Sequence, residues 1–203
     1  MGKVKHMTGP VDGRTARRER NREDVVEAAL SLMDEGELDP SIEQLTKRSG
    51  LSARSIFRYF EGLDDLRRAV IERHFQRAEP LIFGSDSDGG PLDARIRRFV
   101  DARIKVNEML AGPARTAQMR APYAPIIADD IRRYRKILDS QVREHFAPEI
   151  KARSRAEADD LVALIDVVVS FDGWNLMVSD YGRSRTQVRR AWTTALEALL
   201  TRG

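Results

Sequence analysis

SIEQLTKRSGLSARSIFRYF, residues 41–60, is the stretch whose reading decides the fold of this chain. Ser41 followed three residues later by Gln44 is a capping-box pattern, and Pro40 closes the loop before it. Ile42 and Leu45 give a short helix one apolar face, while Lys47 and Arg48 point elsewhere. Gly50 ends that helix, because a left-handed turn costs little only at glycine. Leu51 plugs the turn, Ser52 caps a second helix, and Ile56, Phe57 and Phe60 follow at helical spacing. Two helices of about two turns joined by a short glycine-bearing connector form the helix-turn-helix pattern.

The second helix is expected to read DNA. A helix fits the major groove, and residues near its N-terminus reach base edges. Here those residues are Ser52, Ala53, Arg54 and Ser55. Arg54 has the fork geometry to donate twice to guanine, and Ala53 can touch a thymine methyl. Ser55, Arg58 and Tyr59 are expected to hold phosphates, which fix register without reading sequence. The competing reading is that Arg54 and Arg58 form a solvated face of an architectural helix-turn-helix.

The residues before this stretch support it. From residue 1 to 22 seven basic residues face only Asp12 and Glu19, although the whole chain carries a net charge of only +3. Such an arm has meaning beside a reading helix, so Arg17 and Arg18 are expected at the phosphate backbone. Residues 1–6 are set aside as tag-derived. A first helix is expected from about residue 20 to 35, with Asn21 as its N-cap and Gly36 as its stop. A fourth is expected from Leu63 or Asp64 to about Ala78, ended by Pro80.

This portion resembles the DNA-binding domain of TetR-family transcriptional regulators. The resemblance rests on Ile42 and Leu45, Gly50-Leu51-Ser52, the run from Ser55 to Phe60, and Asp64-Asp65-Leu66, with Ala28-Ala29-Leu30 and Gly36 in the first helix. It covers roughly residues 15–78. It implies that Ser41 and Ser52 meet phosphates and that Ala53, Arg54, Ser55 and Phe57 face the groove. Two positions depart from the pattern. Tyr59 stands where the family often has His, and Leu63 where it often has a phosphate-holding Lys.

Beyond Pro80 the run Gly84–Pro91 is rich in Gly, Ser and Asp and reads as a loop. A body of four or five helices follows. The first is expected over about 92–110, ended by Gly112-Pro113, with a short helix at 114–120 after it. The others are expected over 126–146, 156–180 and 186–201. The last two are apolar around much of their circumference, which calls for burial on more than one side. Leu164, Val168, Trp192, Leu196 and Leu199 are expected to join two copies in a homodimer, as the resemblance also implies; a core within one chain is the alternative. Polar groups interrupt the apolar faces at Arg103, Asn107, Tyr134 and Asn175. With Phe99, Phe171 and Trp174 they are the expected walls of a site for an unidentified small-molecule effector.

The fold class expected is therefore all-α: a three-helix helix-turn-helix domain and a C-terminal helical ligand-binding and dimerisation domain. The divisions expected are a basic arm at 1–19, the DNA-binding domain at 20–63, a connecting helix at 64–79 and the body at 80–203. The chain contains no cysteine, which excludes disulfides, cysteine-based zinc sites and a cysteine nucleophile. No phosphate-cradling Gly-rich loop, HExxH or Gly-x-Ser-x-Gly pattern occurs, so no catalytic residue, metal or cofactor is expected. The run 167–178 is interrupted by Asp172 and reads as too short for a bilayer, so a cytoplasmic location is expected. The partners expected are a palindromic DNA duplex, a second copy and the effector, in a repressor released by that effector. A helical protein-interaction module and an all-α enzyme are the alternatives.

Overall fold

The computed structural model describes residues 13–37, 39–83 and 89–201, and among them there are helices and no strands. The order is α1 (Gly13–Asp34), α2 (Ile42–Ser49), α3 (Ala53–Tyr59), α4 (Leu63–Phe83), α5 (Leu92–Arg120), α6 (Pro125–His145), α7 (Ala147–Lys151), α8 (Arg155–Val169) and α9 (Phe171–Asn175), then a π-helical turn (Leu176–Asp180) and α10 (Arg185–Thr201).

The helix-turn-helix forms as its caps dictate. Ser41 and Gln44 close a reciprocal capping box, with the Gln44 side chain accepting from the Ser41 amide at 2.7 Å. Gly50 takes φ 71°, and its amide donates to the Thr46 carbonyl. Leu45, Ile56, Tyr59 and Phe60 join Val25, Val26, Ala29, Leu30 and Met33 of α1 in one core. Each such fully buried aliphatic side chain contributes about 1.5–3 kcal/mol. Arg48 ties α2 to α1 through Glu35 at 2.6 Å.

α4 belongs to two cores. Leu66, Ala69 and Val70 pack in the head, while Phe75, Ala78 and Ile82 pack with Val106 in the body. The expected boundary at residue 79 or 80 therefore falls inside a helix. Pro80 does not end α4. It lies within the final turn, with its ring exposed, and the Gln141 side-chain amide satisfies the carbonyl of Ile82 at the helix end. Proline here still forfeits its bond to the Gln76 carbonyl and crowds it, a cost that the packing of Ala78 and Ile82 in the body core offsets.

Three further expectations need correction. α1 starts at Gly13 rather than near residue 20, so Asn21 sits inside the helix and is no cap. α5 runs unbroken through Gly112 and Pro113, and the expected short helix at 114–120 is its last two turns. Pro113 is buried there, and the Thr116 hydroxyl donates to the Gly112 carbonyl at 3.3 Å. The helix expected over 156–180 is broken at Ser170, whose ψ of 164° is extended. Ser170 caps α9 by accepting from the Gly173 amide at 3.0 Å, and Asn107 donates to the freed Val169 carbonyl at 3.1 Å. A side chain at Gly173 is excluded, because its Cβ would lie 2.7 Å from the Val168 carbonyl oxygen.

The main body core joins α5 (Ile96, Phe99, Val100, Ile104), α6 (Val142) and the Phe146 that follows it, α8 (Leu161, Val162, Ile165, Val169) and α10 (Val188, Trp192, Leu196, Leu200). The apolar run at 167–178 belongs to a longer stretch than its reading as too short allowed. Residues 155–180 include an 18-residue window with a mean hydropathy of 1.7, long and apolar enough to cross a membrane by length and composition. Only 28% of that window is buried within the chain. Of the loop expected at Gly84–Pro91, residues 84–88 lie outside the described residues, as do residues 1–12 of the basic arm.

Candidate nucleic-acid interface and ligand cavity

The basic N-terminal turns of α1 and the exposed side of α3 meet. Arg14, Arg17, Arg18 and Asn21 from α1 and Leu51, Ser55, Arg58 and Tyr59 from the turn and α3 line one open hollow. Its centre is Tyr59. The ring is buried, and the hydroxyl accepts hydrogen bonds from Asn21 Nδ2 at 2.8 Å and from the Arg58 guanidinium at 2.9 Å. These bonds, Asn21's first, together with the charges of Arg58 and Arg17, hold the phenol's pKa below its ordinary value. With two donors already filling its lone pairs, the hydroxyl's own proton is left to donate.

Around the hollow the expected readers separate by exposure. Arg54 is exposed and makes no hydrogen bond or ion pair with a described residue, and Phe57 is 52% exposed. Ala53 is half-buried. Ser41 and Ser52 already accept from the amides of Gln44 at 3.3 Å and Ser55 at 3.2 Å, so their hydroxyls serve as helix caps. Ser52 and Ser55 also share a hydroxyl contact at 3.0 Å. Leu63, where the resembled family often has Lys, packs partly buried against the head core.

Arg14 and Asn21 were not among the expected contacts. Arg14, Arg17 or Arg18, and Asn21 are spaced three to four residues apart and so share a face of α1. That spacing becomes a signal only once residues 13–19 are read as helix. The hydrogen bond from Asn21 to Tyr59 spans 38 residues and has no local signature.

The body holds a separate cavity of about 130 Å³ between α4, α5, α6, α8 and α9. Ile71 and Phe75 of α4 form one wall, Leu110, Pro113 and Ala117 of α5 another, and Ile131, Tyr134 and Leu138 of α6 a third. Asp166, Phe171 and Asp172 close it. Tyr134 stacks on Phe75 with ring centroids 4.0 Å apart. Asp172 accepts from Gln118 and from Arg135, the latter at 3.1 Å. Asp166 has no hydrogen-bond partner among the described residues; burial raises its carboxyl pKa, and the charges of Arg103 and Arg135 oppose that.

Of the seven residues expected around an effector, Tyr134 and Phe171 line this cavity. Phe99 is buried in the main core, as is Trp174, which lies 5.7 Å from the Phe171 ring centroid. Asn107 caps the break at Ser170, and Asn175 accepts from Arg115 at 3.0 Å. Arg103 lies behind the wall. It donates to the Leu138 carbonyl at 2.9 Å and sits 5.1 Å over the Phe99 ring. Burial lowers its pKa to about 10, against the pull of Asp166. Ile71, Phe75 and Asp166 escaped the sequence reading because nothing local separates a cavity wall from a core.

The expected dimer residues also divide. Leu164 is 52% exposed, and Val168 and Leu199 are partly buried beside it on the core's margin. Trp192 and Leu196 are buried within their own chain. Val167 and Leu176 join Leu164 among the exposed large apolar side chains.

The comparisons with known proteins agree on the architecture. The chain superposes on a TetR-family transcriptional regulator from Streptomyces coelicolor with a TM-score of 0.68 and 20% identity, covering 89% of this chain and 80% of that one. It superposes on a candidate TetR-family regulator from Mesorhizobium loti with a TM-score of 0.63 and 15% identity, covering 91% and 96%. A TerR/AcrR-family transcriptional regulator from Aquifex aeolicus gives 0.58 at 15% identity, covering 88% and 99%. No family profile and no curated protein matches the sequence. The all-α fold is thus that of the TetR-family regulators, with a helix-turn-helix head and a helical body.

Proposed function

We propose that this protein is a DNA-binding transcriptional regulator of the TetR type, acting as a homodimer that a small ligand releases from a palindromic operator. The observation that carries the reading is the joined surface of α1 and α3. It sets the Arg14–Arg17–Arg18 cluster beside an exposed α3 whose Arg54 is uncommitted. Arginines around a hollow suit a phosphate, and a free guanidinium on a short exposed helix suits a guanine edge. Arg54, Ala53, Ser55 and Phe57 are the proposed readers; Arg17, Arg18, Arg58 and Tyr59 hold the backbone. The Ser41 hydroxyl keeps its proton beyond its capping bond, and Ser52 keeps its own when Ser55 is the donor of their shared contact, which supports a shared role at phosphates.

One such helix reads few bases, and two related by a two-fold axis read a palindrome. The stripe of Leu164, Val167, Val168 and Leu176 is the face we assign to the second copy. Leaving these side chains in water is costly, and a two-fold partner covers them with the same stripe.

The release mechanism follows from α4. Its Ile71 and Phe75 wall the cavity, while Arg73 and Arg77 pair with Glu23 and Glu27 of α1. Arg67 pairs with Asp39 at 2.8 Å and Asp64 at 2.6 Å at the head end. A ligand that binds better when α4 is displaced draws the head with it and changes the separation of the two reading helices. It can shift the equilibrium only by its difference in affinity between the two states. The test is selection of bound fragments from a random duplex pool. A palindrome of two half-sites about one helical turn apart is expected; recovery of unrelated sequences would overturn the reading.

A further inference from the structure

We infer that the body cavity takes a small amphipathic cation, an ammonium carried on an apolar or aromatic body, with Asp166 as its counter-ion. This rests on the cavity being the effector site of the regulator proposed above. The walls supply the body's environment. Ile71, Leu110, Ala117 and Leu138 are aliphatic, and the rings of Phe75 and Phe171 add aromatic surface, while Tyr134 is stacked on Phe75 and carries Arg133 4.9 Å over its ring. Aromatic faces are electronegative, so they favour a cation over an anion.

The ionisable groups of the lining then decide the sign. Tyr134 accepts a hydrogen bond from Arg133 at 3.0 Å. Arg135 and Asp172 hold each other at the rim, where both are more than half exposed. Asp166 alone among the ionisable lining groups has no hydrogen-bond partner in the described residues. A half-buried carboxylate without donors is costly, and an incoming ammonium supplies them. An anion would meet this carboxylate and would have to take Arg135 from Asp172. Arg103 is no alternative anion site. It stands outside the lining, with its guanidinium turned to the Leu138 carbonyl and the Phe99 ring. Burial raises the Asp166 pKa; the charges of Arg103 and Arg135 oppose this, and that of Asp139 adds to it.

The test uses the full chain at neutral pH and three probes of matched shape: phenethylamine, phenethyl alcohol and phenylacetate, titrated by calorimetry. The amine should bind at least about tenfold more tightly than either of the others, the usual scale of one charge-assisted hydrogen bond. Asp166→Asn should abolish that preference while leaving the alcohol's affinity within about twofold, since the walls are unchanged. Helicity and the thermal transition of the variant establish that it is folded, and Asp166→Glu should restore part of the preference. Equal or tighter binding of phenylacetate would overturn the inference. So would a preference for the amine that survives Asp166→Asn, or no binding of the amine at all. A parallel arm follows release of the selected duplex. Binding of the amine without release upholds the charge assignment and sinks the effector reading. Release by the alcohol or by phenylacetate, without preference for the amine, does the reverse.

Discussion

Gly112 of α5 lies directly against Met33 of α1: a Cβ placed on Gly112 would sit 3.2 Å from both the Met33 Cβ and its carbonyl oxygen. This is where the first helix of the head crosses the longest helix of the body. The approach is close because position 112 carries no side chain, and the backbone oxygen opposite cannot swing aside. Gly112→Val should therefore separate the two helices. Overpacking of this kind costs about 1–3 kcal/mol, read as a lowered thermal midpoint. Unchanged stability would show that the crossing is looser than this contact implies.

Leu63 stands where the resembled family often has a phosphate-holding Lys, and it packs partly buried against the head core. Leu63→Lys should add one contact and steepen the dependence of log affinity on log salt by about 0.9. Some head stability should be lost with the packing. Arg17→Ala with Arg18→Ala should flatten the same slope on every duplex, whereas Arg54→Ala should relax one operator position at a cost of about 1–3 kcal/mol. Filter binding across a salt series separates the two behaviours.

The exposed stripe on α8 predicts how assembly fails. Leu164 and Val167 are 52% and 67% exposed, so charges placed there leave the chain's own core intact. Leu164→Asp with Val167→Asp should give a folded monomer by sedimentation and remove binding to a palindrome. Trp192→Asp should instead unfold the chain, because Trp192 is buried at 2% exposure.

Two buried histidines predict a loss of stability in mild acid. Burial lowers the pKa of His74 below its ordinary 6.5; Asp34 and Glu27 oppose this, and Arg77 adds to it. Burial does the same to His145, whose Nε2 lies 3.0 Å from the Arg95 carbonyl oxygen. Below 6.5 the unfolded chain binds protons that the folded chain refuses. Stability is therefore complete above 6.5 and falls as the pH drops toward the depressed folded values. Each histidine removes at most about 1.4 kcal/mol per pH unit. The thermal midpoint should fall between about pH 7.5 and 5.5, and His74→Leu with His145→Gln should flatten that fall.

The head was legible because its signals are local. Ser41 with Gln44, and Gly50 nine residues after Ser41, mark caps through chemistry contained in one turn. Element ends marked by proline were misread in the body. Pro80 and Pro113 both lie inside helices, held there by packing on residues remote in sequence: Ala78 and Ile82 join the body core with Val106, and Pro113 is itself buried. The break at Ser170 was hidden for the opposite reason. The residues around it keep a helical apolar pattern, and the partner that stabilises the break, Asn107, is 62 residues from Val169. Arg103 and Asn175 were rightly singled out as polar groups among apolar ones. Which surface each one faced depends on helix rotation, which spacing alone does not fix.

The apolar segment around the break at Ser170 serves two tasks. Leu164, Val167 and Leu176 face outward, and Asp166, Phe171 and Asp172 close the cavity. In a dimer built on that outward face, one segment borders both the cavity and the two-fold seam. Coupling of the two cavities through that shared seam predicts effector binding with a Hill coefficient other than one, read from a calorimetric titration of the dimer.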